Sequence, residues 1–186
     1  FRSQGRLQYI GLARNRDGLA EMNRLVTRHN FENIPYEDSA PDFREAFVIY
    51  PMEDAPDQLR KHEYIVIRPE QLRKLFSRDW KMRTGKMAVL QPVTIRNKKE
   101  FGLHKILRAI DLNILGSRLQ EDQRCRPSEM MVPLESLLES FGNYPEIIQN
   151  TRHIIEQCNF EYEFGIPRNK KHFTQDRSSD LRLLTR

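Results

Sequence analysis

Cysteine is almost missing from this chain. Cys125 and Cys158 are the two in 186 residues, too few for a disulfide scaffold or a four-cysteine metal site. Glycine is sparse as well, at eight residues, and Gly85-Lys86 stands without the earlier glycine of a phosphate-cradling loop. No Asp-x-Asp occurs, so the paired aspartates that commonly hold two catalytic metal ions are lacking. The five histidines, His29, His62, His104, His153 and His172, fall on separate predicted elements without metal-ligand spacing. There is no internal repeat, no low-complexity tract, no recognisable signal peptide and no apolar run long enough to span a bilayer. The expectation is a soluble cytoplasmic protein with no membrane contact.

What is present is charge, unevenly placed. The formal net charge is +5. Residues 165–186 hold six Lys or Arg against two Asp or Glu, so the tail alone supplies +4. Within the body, residues 31–57 carry eight acids against Arg44, whereas residues 60–86 carry nine bases against three acids. Such polarity suits docking against other domains better than a continuous phosphate-binding stripe.

The hydrophobic pattern predicts strands alternating with helices, which argues for an α/β fold with a mainly parallel sheet and flanking helices. Strands are expected over 6–13, 46–50, 63–67 and 87–90, the last three being short apolar runs of the kind a parallel sheet buries. Leu19, Met22, Leu25 and Val26 mark a first helix, and the acidic stretch 31–44 with Pro35 and Pro41 reads as a loop. Pro69 opens a predicted helix at 70–76. A longer helix over 98–115 carries the apolar stripe Leu103, Leu107, Ile110 and Ile114. Residues 120–127 read as a polar loop, Met130-Met-Val132 as a short strand, and Pro133 and Pro145 as the starts of two more helices. Leu134, Leu137, Leu138 and Phe141 mark the first, and Ile147, Ile148, Ile154, Ile155 and Cys158 face inward on the second.

Four stretches, in order, carry a family resemblance. Residues 7–25 end a strand and begin a helix with Leu12-Ala-Arg-Asn-Arg-Asp-Gly18. Residues 91–111 run from a strand end into the long helix. Tyr144-Pro-Glu-Ile-Ile-Gln-Asn-Thr151 leads a helix that closes on Cys158-Asn159, and Ile166-Pro-Arg168 follows. Together they resemble the PHP domain of bacterial DNA polymerase III alpha subunits, the C-family replicative polymerases, most closely a Bacteroidetes-like branch. The resemblance implies the later part of a PHP-type distorted β/α barrel over residues 1–164. Residues 165–186 would be a basic linker toward the polymerase palm domain. The chain opens on Phe1, almost directly on a strand, and reads as the interior of a longer polypeptide. The parent would carry out template-directed DNA synthesis with Mg2+. The partners implied are the remaining polymerase domains, a proofreading exonuclease subunit, other replisome subunits and, through the parent, DNA.

Metal-binding PHP domains end the strand corresponding to 89–94 in an Asp and a His that ligate metal. Val93 and Ile95 stand at those positions here, and neither side chain has a lone pair to give. The expectation is therefore no catalytic residue, no metal and no cofactor in this segment, which would be a structural and docking element. A metal-dependent PHP phosphoesterase or 3′–5′ exonuclease is the first alternative, and it needs ligands at those two positions. A nucleic-acid-binding module is the second. It would use Arg96, Lys98, Lys99, Lys105 and Arg108 around the helix start, a cluster that also reads as a solvated basic face or a partner contact. His104, with Arg108 and Asp111 at i+4 and i+7, reads as a general base or phosphate contact, or more plainly as a hydrogen-bonded surface histidine. Cys125 between Arg124 and Arg126 reads as an oxidation-prone loop thiol. Strands implied to precede Phe1 would leave the faces at 47–49 and 64–67 uncovered, from which self-association into a dimer or swapped assembly is expected. The alternative is a smaller, self-sufficient α/β domain whose sheet the helix over 98–115 covers.

Overall fold

Short strands rich in β-branched and aromatic residues build the centre of the computed structural model, which describes all residues except 4, 160, 162–164, 166–171 and 186. A small hairpin comes first. β1 (Arg2–Ser3) pairs antiparallel with β2 (Arg6–Leu7) around Gly5, whose φ of 80° turns the chain. β3 (Ile10–Ala13) leads into α1 (Arg16–Glu32), where the Asn15 side chain accepts the N–H groups of Asp17 and Gly18, each at 3.0 Å. Those donors have no partner inside the helix, so the cap fixes where it starts. β4 (Ala46–Pro51) and β5 (Glu63–Ile67) follow, then a 3-10 stretch at Pro69–Phe76 and the single turn α2 (Arg78–Lys81). β6 (Met87–Val89) precedes α3 (Lys98–Asp111), α4 (Leu134–Ser140), α5 (Pro145–Gln157) and α6 (Arg177–Leu184).

The four-stranded sheet runs β3-β4-β5-β6, with β3 antiparallel to β4 and the remaining pairs parallel. The fold is α/β with a mostly parallel sheet, as the apolar runs indicate. β5 is buried along its whole length and β4 at every position before Pro51, the signature of a strand covered on both faces. Ala46, Val48 and Tyr50 pack with Tyr9, Ala40 and Phe43, while Ile65, Ile67 and Met87 meet Met52, Leu75, Phe141 and Ile147. On the other face Phe47, Ile49, Tyr64, Val66 and Ala88 pack against Ile154 of α5. The faces at 47–49 and 64–67 are thus covered within this chain, contrary to expectation, and the apolar sheet surface invoked for self-association is not available.

The β6 edge is closed as well. The Asn150 amide donates to the carbonyls of Met87 at 2.8 Å and Gly85 at 3.1 Å, and the Thr151 hydroxyl accepts the Val89 N–H at 2.8 Å. Side chains of α5 therefore supply the bonds another strand would have made. Asn150→Ala combined with Thr151→Val is expected to cost about 1–3 kcal/mol by urea denaturation, since the freed backbone groups border a buried strand. Unchanged stability would show that the edge is satisfied by water.

Several elements differ from their sequence expectation. The strand over 6–13 divides because the Phe1 nitrogen donates to the Tyr9 carbonyl at 2.8 Å and the Gln8 N–H to the Phe1 carbonyl at 3.0 Å, folding residues 1–3 back on the chain. Residues 130–132 contribute an isolated bridge, Ile95 to Met130, and no strand. α3 stops at Asp111, and Asn113 adopts the left-handed conformation at φ 51°. A helix at 177–184, capped by Asp176, lies within the stretch read as linker. The Ile166-Pro-Arg motif and the 164/165 boundary lie outside the described residues.

Candidate functional site

The site that the sequence singles out lies where β6 leaves the sheet and the chain enters α3. Val93 is 56 % exposed, carrying an apolar side chain into solvent. Ile95 is 4 % exposed, its N–H and carbonyl bonded to the Glu129 carbonyl and the Met131 N–H. The structure thus uses Ile95 as an anchor for the 126–131 loop, and neither residue fits a metal. No group of three or more His, Cys, Asp or Glu side chains is placed to hold a metal ion among the described residues.

α3 begins at Asn97, whose side chain accepts the N–H groups of Lys99 at 2.9 Å and Glu100 at 3.1 Å. The Glu100 carboxylate reaches back to the Arg96 N–H at 2.8 Å and lies 3.4 Å from its guanidinium. The Asn97 amide oxygen thus occupies the first helix N–H groups, and a phosphate at this end would have to displace it beside the Glu100 carboxylate. Two others of the five bases are also engaged within the chain. Lys105 stacks on the Phe101 ring at 5.1 Å, with Arg124 also over that ring at 5.7 Å. Arg108 turns inward, donating from Nε to the Gln123 carbonyl at 2.8 Å and pairing with Asp111.

His104 accepts the Cys125 N–H through Nε2 at 3.0 Å, which places the ring's proton on Nδ1. It therefore joins α3 to the 120–127 segment with one nitrogen already engaged, the structural reading of this residue. Arg108, one turn on, makes the second such tie. Cys125 is buried rather than loop-exposed, and burial raises its thiol pKa, with Glu129 adding to the effect. The oxidation-prone thiol expected between two arginines is thus protected. Cys158 is likewise raised by burial.

These ties turn α3 around. Phe101, His104, Arg108 and buried Ala109 face the body, while Leu103, Ile106, Leu107 and Ile110 are 54 %, 58 %, 55 % and 68 % exposed. The apolar stripe visible in the sequence is exposed, so this helix does not cover the sheet as the alternative to self-association requires. α5 covers the β6 end instead, through Ile147 and Ile154. A second apolar surface, unforeseen in the sequence, lies between α4 and α5. It is a groove of about 440 Å³ lined by Leu134, Leu138, Ile148 and Ile155. Leu134, on the apolar pattern of α4, and Ile155, expected inward on α5, are both exposed. Set against known protein families and against curated proteins, the chain matches none of them.

Proposed function

We propose that this chain is the later part of the PHP domain of a C-family DNA polymerase III alpha subunit, serving as a non-catalytic structural and docking element. The outward stripe of α3 is the observation that carries the docking role. Leu103, Ile106, Leu107 and Ile110 follow i, i+3, i+4, i+7 spacing, which suits an apolar groove or a facing helix. Completing the burial of each is worth about 1 kcal/mol, roughly half of a full aliphatic side-chain transfer. The occupant we assign is another domain of the same polypeptide. The four ordered stretches of resemblance support that choice, and a covalently linked domain meets the stripe at high effective concentration.

The mechanism is one of positioning. His104 and Arg108 hold α3 by its polar side against the 120–127 segment, which keeps the apolar side free for the partner domain. The parallel strands β4, β5 and β6 support the reading of a PHP-type β/α barrel, to which further strands would be added at the β3 side, since α5 occupies the β6 edge. DNA synthesis, with its Mg2+, would belong to the remaining domains. A proofreading subunit and other replisome subunits would reach this segment through the same assembly.

The test compares the 186-residue chain with the protein encoded by its full natural reading frame. The full protein should extend a DNA primer, and the chain alone should show neither primer extension nor exonuclease activity. Ile110→Asp should leave the chain's melting temperature unchanged, because the side chain is solvated there, while lowering that of the full protein by several degrees. A full protein without polymerase activity would overturn the family assignment, and an Ile110→Asp variant equally stable in both contexts would overturn the docking role.

A further inference from the structure

We infer that a shallow depression between α1 and residues 41–44 docks an acidic peptide segment through Arg24, Arg28 and Arg44. The depression measures about 350 Å³, and the three arginines border it together with Leu25, Pro41 and Phe43. Its shape is fixed from within the chain. Phe43 is buried in the cluster that holds Tyr9 and Tyr50. One Glu21 carboxylate oxygen accepts the N–H groups of Arg44 at 3.0 Å and Glu45 at 3.3 Å. These bonds tie the segment to the side of α1, so the two walls keep their spacing without a ligand. The depression is open to solvent along its length, which suits a peptide laid across it better than an enclosed small molecule.

The balance of charge selects the partner. Both acids of the depression are already engaged, Glu21 by the two backbone N–H groups and Asp42 by Arg60 at 3.3 Å. By contrast, the Arg24 and Arg44 side chains make no hydrogen bond or ion pair among the described residues. Arg28 pairs with Glu32 at 3.1 Å, but both side chains are well solvated, so this pair is weak and readily exchanged for a ligand carboxylate. Arg24 and Arg28 stand one turn apart on α1, and Arg44 lies on the other wall. Each guanidinium offers a planar fork of donors that matches a carboxylate, and arginine clusters recognise acidic segments in this way. An aliphatic side chain of the partner then rests on Leu25 and Pro41. Phe43, the aromatic ring lining the depression, is 6 % exposed and presents no face on which a nucleic-acid base could stack. Neither the surface nor its partner depends on the function proposed above.

Fluorescence anisotropy of the 186-residue chain with a fluorescein-labelled peptide, Gly-Glu-Asp-Leu-Glu-Asp-Gly, tests this assignment. The control peptide carries Gln for Glu and Asn for Asp. The acidic peptide should bind about tenfold or more tightly than its amide control, and more weakly as salt is raised. Arg24→Ala combined with Arg44→Ala should weaken binding about tenfold or more, with an unchanged melting curve because both side chains are exposed. Arg73→Ala combined with Lys81→Ala removes two exposed charges elsewhere on the surface and should leave the affinity unchanged. Equal binding of the two peptides, no binding at millimolar peptide, or an Arg24/Arg44 variant of unchanged affinity would each overturn the proposal. An equal loss in the Arg73/Lys81 variant would overturn it too, since net positive charge and not this depression would then carry the binding. A single-stranded oligonucleotide of the same charge binding about tenfold more tightly than the peptide would also overturn it, because the surface would then be reading nucleic acid.

Discussion

Gly18→Ala is expected to destabilise the chain by about 3 kcal/mol or more, placing it among the exceptional single substitutions. A Cβ at this position would lie 1.9 Å from the Glu45 carbonyl oxygen and 2.7 Å from its carbon. The obstacle is backbone, and backbone that is itself held in place. That same oxygen accepts the Arg14 N–H at 2.9 Å, and the Glu45 carboxylate takes the Asn15 amide at 2.8 Å. To make room, α1 must lift from the β3–β4 pair it packs against. Helix propensity works the other way, favouring alanine over glycine by about 1 kcal/mol. The sign of the change therefore decides between the two effects. Urea denaturation showing a variant as stable as the parent, or more so, would mean that α1 does not approach Glu45 this closely.

The second large effect is expected at Phe141, the residue on which α4 ends. Its side chain is fully buried among Ile65, Ile67, Met87 and Ile147, so it is the point at which α4 is pinned to the sheet. Phe141→Ala should cost about 3–5 kcal/mol, the transfer term plus the cavity left behind. The remainder of α4 is weakly held, with no residue of the helix proper fully buried. Limited proteolysis of the variant should therefore cut first in the segment 131–143, before any site in β4 or β5. Cleavage elsewhere first, or a loss below about 1 kcal/mol, would contradict the pinning role.

Much of this architecture is legible in the residues. Unbroken apolar runs such as Ala46-Phe-Val-Ile-Tyr50 and Tyr64-Ile-Val-Ile67 specify parallel strands because they leave no polar face for water. Pro69 and Pro145 mark helical starts through ring geometry local to each position. The orientation of α3 is not legible. Its stripe has the spacing of a core helix, and the forces turning it outward are two long-range polar ties, His104 to the Cys125 N–H and Arg108 to the Gln123 carbonyl. Periodicity reports which residues share a face and says nothing of what that face meets. The same limit applies to Leu134 and Ile155, and to the burial of Cys125, which the flanking arginines disguise.

The closure of β6 by Asn150 and Thr151 bears on how copies of this chain can associate over time. A strand arriving at that edge finds its hydrogen-bonding positions already taken, so pairing there requires α5 to detach first. Detachment would expose Ile147 and Ile154, both buried in the native chain, and its free-energy cost is added to the barrier for sheet growth. Association through this edge is thus coupled to a partial unfolding step, and it should be governed by temperature more than by concentration. Native samples would stay free of it for long periods, whereas warming to just below the melting transition would start it abruptly.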